Sequence, residues 1–327
     1  MEINMNPDVR VYWTATALYG LAAVFYILAF IKKKEKFANL GMNFVWVGFI
    51  VHALGTFYPA ITHKYTHICS FYKVIGGTIV MGMFVFLAAS LAKKEIKPAG
   101  LLIMPVSFGL MVLGGLMPCH PLGPSPVYKG WQLWGHVTGA GFNFGFALLA
   151  AAMGVLYLLK EAKGKTGYPY DQLPDLEVLD RLNYRFVLVA FIFASTMVSF
   201  GSLWSFMKFG MVKKTLMLAG IVWGFWSIYA FALASRWFFH WQGRRLALYS
   251  PFALLLVFLF LFYMAPFREK NYHSGPFFSP YNLQENMKPY LKDIESTTKP
   301  DKAIDQSGPV STPAKVDKVA KLLENKQ

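Results

Sequence analysis

Apolar residues run in blocks of about twenty along most of this chain, separated by short polar segments rich in lysine and arginine. Eight such blocks can be read, at roughly 9–31, 40–61, 71–92, 99–116, 135–159, 185–207, 216–238 and 247–264. A block of that length crosses the ~30 Å hydrocarbon core of a bilayer as a helix. Only helices or closed barrels satisfy backbone groups in lipid, and ten-residue segments of alternating polarity are absent. The pattern predicts an all-α polytopic membrane protein of about eight transmembrane helices. The first block has no basic segment before it and no small-residue cleavage site after it, so it is expected to be a retained helix.

Residues 1–265 form the expected membrane domain. From 266 to 327 the chain turns polar and proline-punctuated, with S-T-T-K-P, S-G-P and S-T-P, and is expected to be a largely disordered tail. Its last residues place Val316, Val319, Leu322 and Leu323 at helical spacing, which fits either a short amphipathic helix or a frayed end.

Charge orients the helices. The segments Lys32–Lys36, Lys93–Lys97, Lys160–Arg185 and Arg236–Arg245 hold fifteen lysines and arginines, against seven in the opposite loops and N-terminus. By the positive-inside rule both ends of the chain lie outside, the periplasmic side of a bacterial cytoplasmic membrane. The net charge of +15 is mostly this asymmetry plus a lysine-bearing tail, so no nucleic-acid partner is needed to explain it. Cys69 and Cys119 fall in outer loops, as a disulfide or as two free thiols. No C-x-x-C-H is present, so the chain carries no c-type haem attachment site of its own.

Seven histidines are the ligand candidates. His52 lies within the second span, where an ionisable residue is costly and usually functional; it is a ligand or cofactor contact, or a neutral residue bonded to a neighbouring helix. His136 opens the fifth span in W-Q-L-W-G-H-V-T-G-A-G, and His273 follows the eighth in N-Y-H-S-G. Both fall at the outer face, so they could grip one haem iron from two sides. His63, His67 and His120, with the two cysteines, make only a weak metal pattern, and His240 lies inside beside W-Q-G-R-R. Acidic residues are nearly absent from the spans, which argues against a transporter driven through buried carboxylates.

Three further segments carry a resemblance: L-D-R-L-N-Y-R at 179–185, the spacing from Phe191 through Gly201 to Trp204, and S-R-W-F-F-H-W-Q-G-R-R at 235–245. With the outer P-L-G-P…W-Q-L-W-G-H-V and the late Y-H-S, they resemble the cytochrome c assembly proteins of CcsA or ResC type, relatives of CcmC and CcmF. The resemblance runs from about Val9 to Gly275. It implies a protein that holds haem b non-covalently and presents it at the outer face. At most it would be part of a system II synthetase, working with a ResB/CcsB-type membrane protein on an apocytochrome c. It implies His136 and His273 as external axial ligands, His52 as half of a transmembrane pair, and Trp131 and Trp134 as cofactor contacts.

The chain departs from the family in two places. The positions of the W-x-W-D-P-K-E motif fall on Lys213, Lys214, Thr215, Leu216, Met217, Leu218 and Ala219. The second transmembrane histidine falls at Ala234. The alternative is therefore a non-catalytic haem-binding or regulatory membrane subunit, either of a respiratory complex or of the HemX-like kind.

Overall fold

A computed structural model of the protein describes residues 7–62, 71–116, 131–162, 166–209, 211 and 213–264. These lie within the first of two compact units, Met1–Ser279. The tail, His273, both cysteines, His63, His67 and His120 lie outside the described residues.

The described chain is helical, with no strand among the described residues. Its helices are α1 (Pro7–Lys32), α2 (Glu35–Thr62), α3 (Phe71–Ala92), α4 (Gly100–Leu116), α5 (Trp131–Glu161), α6 (Leu176–Phe209), α7 (Lys213–Phe238) and α8 (Arg244–Met264). By length and composition α1 to α6 each hold a segment apolar enough to cross a membrane. The expected order of elements is met, and the protein is a multi-pass membrane protein.

Short connections make successive helices antiparallel neighbours. Two residues, Lys33 and Lys34, join α1 to α2, and Phe239–Gly243 joins α7 to α8. The lysine- and arginine-bearing turns gather at one end. There the Tyr168 amide donates to the Lys33 carbonyl, and Lys160 Nζ donates to the carbonyls of Tyr170 and Leu173. Burial, reinforced by the Glu35 carboxylate, pushes the Tyr168 phenol up, so it stays neutral in this inner loop.

α5 is the central helix, packed against α3, α6 and α8. Its interior is small, with Ala150, Ala151, Ala152, Gly145 and Gly154 all buried. Apolar attraction between helices is weak in lipid, so close backbone approach does much of the holding. A Cβ on Gly145 would stand 3.0 Å from the Cα of Gly82, which brings α3 against α5. A Cβ on Gly154 would stand 2.5 Å from the Ala247 carbonyl oxygen of α8. Pro251 has no N–H, so that carbonyl lacks its ordinary helical donor and faces α5 instead. Gly154→Val is expected to cost about 1–3 kcal/mol by overpacking. Denaturant unfolding in detergent checks this, and native stability would remove the claim of a tight α5–α8 seat.

Three helix starts precede the hydropathy reading by four or more residues, α2 at Glu35 among them. α6 begins at Leu176, nine residues before the apolar block read from the sequence, so the last part of the segment between the fifth and sixth blocks is helix. Its charges explain the difference: Glu177, Arg181 and Arg185 take the exposed side, with Arg181 paired to Glu177, while Leu179, Asp180, Leu182 and Asn183 are buried. A window that averages over both faces misses such a turn. α5 likewise starts at Trp131, four residues before its apolar block, so Trp131 and Trp134 are helical.

Candidate functional site

The N-terminal end of α5 seats His136 against α6. Its Nδ1 lies 2.9 Å from the Met197 carbonyl oxygen. A carbonyl only accepts, so Nδ1 carries the proton and donates, which leaves the imidazole lone pair on Nε2. Histidines that bind metals are commonly held this way, the second ring nitrogen donating to a backbone carbonyl that fixes tautomer and orientation. A side chain on Gly201 would run into His136 Nδ1, so the glycine of the Phe191–Gly201–Trp204 spacing is what lets the ring lie against α6. His136 is partly exposed and sits five residues, or roughly 8 Å of helix rise, from the start of α5.

The two tryptophans do not face this ring. At 3.6 residues per turn, Trp131 and Trp134 lie roughly 140–160° round α5 from His136. Both are largely exposed, and Trp131 meets the Phe200 ring edge-on at 5.3 Å. Their placement is that of rings in an interfacial belt.

His52 is placed differently. It is 2% exposed, inside the α1–α4 half of the molecule. Tyr19 Oη lies 3.3 Å from Nδ1, and the rings of Tyr12 and Tyr19 approach edge-on at 6.4 and 5.7 Å. Its Nε2 is buried without a hydrogen-bond partner among the described residues. That nitrogen faces α3, where a Cβ on Gly76 would lie 3.2 Å from it. Even a methyl group there would press on the imidazole, so His52 Nε2 lies close against the α3 backbone. Tyr12 in turn donates to the Met111 carbonyl of α4 at 2.6 Å, so the cluster ties together four helices.

Ala234, the position expected from the resemblance to pair with His52, is four residues from the C-terminal end of α7, whereas His52 is seventeen from the N-terminal end of α2. By helix rise these are roughly 6 and 26 Å in, so the two positions do not share a depth. His52→Leu is accordingly expected to lower thermal stability in detergent while leaving any haem absorbance unchanged. A loss of haem with unchanged stability would reassign His52 to the cofactor.

The inner end holds a second constellation that the sequence reading did not assemble. Asp180 on α6 accepts from Arg236 of α7 at 2.9 Å and from the Gly243 amide at 2.8 Å. The Arg236 guanidinium also lies 4.5 Å from the Tyr184 ring centre, and the Trp237 indole donates to the Tyr184 hydroxyl. One helical turn along, Ser250 of α8 donates to the buried Asn183 at 2.7 Å. L-D-R-L-N-Y-R and S-R-W-F-F-H-W-Q-G-R-R are thus two sides of one contact. His240, at φ 52°, and Gly243, at φ 61°, shape the turn that delivers the Gly243 amide, and His240 itself is exposed. The signal available was a carboxylate in the first turns of a membrane helix and an arginine ending the next one.

Between these two ends the α6–α7 seam uses the other residues of the shared spacing. Phe191 packs on Trp226 at 5.1 Å, and the Trp226 indole donates to Ser195. Among the described residues no group of three or more histidine, cysteine and acidic side chains could hold a metal ion by itself.

A bundle of long apolar helices, with a tautomer-fixed imidazole at one end and a buried ion pair locking the other, defines a multi-pass membrane protein. Residues 40–269, well over half of the chain, match the cytochrome C assembly protein family, and the chain belongs to that family. Its role therefore lies in c-type cytochrome biogenesis. No curated protein matches the sequence.

Proposed function

We propose that this protein handles haem b during c-type cytochrome assembly, holding it non-covalently at the periplasmic face of a bacterial cytoplasmic membrane. His136 would supply one axial ligand through Nε2, and His273, outside the described residues, the other. The observation that carries this reading is the His136–Met197 hydrogen bond at 2.9 Å, in a seat kept open by Gly201. It orients an unprotonated nitrogen at the outer end of α5. A haem held this way supplies vinyl groups to the thiols of an apocytochrome C-x-x-C-H, with a ResB/CcsB-type protein as the expected partner. The chain's own part is to bind and orient.

Purification in mild detergent from haem-replete cells tests the reading. Bis-histidine absorption from non-covalent haem is the expected result, and haem-free protein would overturn it.

A second reading, a non-catalytic haem-binding or regulatory subunit, is favoured by one observation. The seven positions of the tryptophan-rich motif read K-K-T-L-M-L-A and begin α7. Gene deletion separates the two. General loss of holocytochrome c supports the assembly role, whereas normal holocytochrome c with one disturbed complex or pathway supports the subunit.

A further inference from the structure

The outer seat and the inner clamp leave one concavity unexplained. A groove of about 320 Å³ opens between α2 and α3 towards their inner ends. That is the lower end of the range for small-molecule sites, roughly 300–1,000 Å³. Its walls are graded. Lys97, in the short turn Lys94–Ala99 before α4, stands at the rim, Asn39, Asn43 and Ser90 lie nearby, and Trp46 and Leu87 lie deeper.

The polar side chains here are an ammonium and an indole N–H, which only donate, and two amides and a hydroxyl, which both donate and accept. None of the residues lining the groove is acidic. The Ser90 hydroxyl is buried with no partner among the described residues. Asn39 and Asn43 are exposed, yet both belong to a membrane-crossing helix. Asn43 lies eight residues, or roughly 12 Å, from the start of α2, where an unpartnered amide in hydrocarbon is costly. With an ammonium and no carboxylate in the lining, the groove favours an anionic occupant rich in acceptors.

The gradient along the groove and the surrounding charge narrow the choice. The α1–α2 and α3–α4 turns carry seven lysines (Lys32, Lys33, Lys34, Lys36, Lys93, Lys94 and Lys97) against Glu35 and Glu95. Basic residues at the cytoplasmic surface attract anionic lipid. We propose that the α2–α3 groove is a binding site for one anionic glycerophospholipid of the inner leaflet. Its phosphate meets Lys97, its ester oxygens accept from the Asn43 amide, and its chain runs past Trp46 and Leu87. The lipid would cover the asparagines and fix the inner ends of α2 and α3 relative to each other.

Native mass spectrometry of the full chain, released from nanodiscs of mixed phosphatidylglycerol and phosphatidylcholine, tests this. One phosphatidylglycerol should survive gentle delipidation, retained about tenfold better than phosphatidylcholine. Lys97→Gln should lower that retention about tenfold and Lys97→Arg should restore it, which separates charge from misfolding. Asn43→Leu should weaken retention of both lipids. Equal retention by the native chain and the Gln and Leu variants would overturn the proposal. So would a dimer that Asn43→Leu splits, since a second copy would then fill the groove, or haem lost in place of lipid, since a tetrapyrrole carboxylate would then be the ligand.

Discussion

Asp180→Ala is expected to lower the unfolding free energy by about 3–5 kcal/mol, because it strands a charge rather than merely deleting a bond. Asp180 and Arg236 retain only 11% and 19% side-chain exposure, so water replaces the carboxylate poorly. The substitution also removes the acceptor of the Gly243 amide, which holds the α7–α8 turn to α6. Thermal and denaturant unfolding in detergent measure the loss. Asp180→Asn should fall between alanine and native, since an amide oxygen can still accept from Gly243. The double variant Asp180→Ala with Arg236→Leu should recover part of the loss, because it leaves no unpaired cation. An effect of Asp180→Ala below about 1 kcal/mol, the scale of an exposed pair, would mean that the contact is wet and adds little.

His136→Ala is expected to remove most non-covalent haem from the purified protein, at least tenfold in retained absorbance at equal protein. His273→Ala should do the same if the two imidazoles share one iron. Gly201→Ala is the sharper test, because it keeps both imidazoles. Its methyl would displace the His136 ring from the Met197 carbonyl, and disturbing such an outer contact typically costs 10–100-fold in metal affinity. A Gly201→Ala protein with full haem content and an unshifted spectrum would show that the Met197 hydrogen bond does not orient the ligand. Exogenous imidazole should restore a six-coordinate spectrum in His136→Ala, separating loss of a ligand from loss of the fold.

Much of the architecture was legible in advance because lipid simplifies the problem. A segment without water must satisfy its own backbone, so a run of apolar residues such as 71–92 can be read as a helix, and α3 has those bounds. Reading failed where a helix leaves the bilayer. Leu176–Tyr184 carries charges on one side and leucines on the other, and its helix shows only once a partner surface for the leucines is known. The candidate site was legible in its atoms but not in its support. His136 stood out as a lone imidazole beside small residues, yet neither Met197 nor Gly201 could be paired with it. A backbone carbonyl has no sequence signature, and a glycine's reason lies in whatever approaches it.

The sequence alone determined that the chain is built of long apolar helices, their order, and the residues at 213–219. Those follow from composition and periodicity, which act along the chain. Only tertiary structure decided that His52 is walled in by Tyr12, Tyr19 and Gly76, that Asp180 meets Arg236 across 56 positions, and that a lysine-rimmed groove lies between α2 and α3. Contact between distant residues depends on which helices pack together and at what depth. In lipid those choices are set by steric fit and a few polar pairs, whose strength a one-dimensional pattern does not carry.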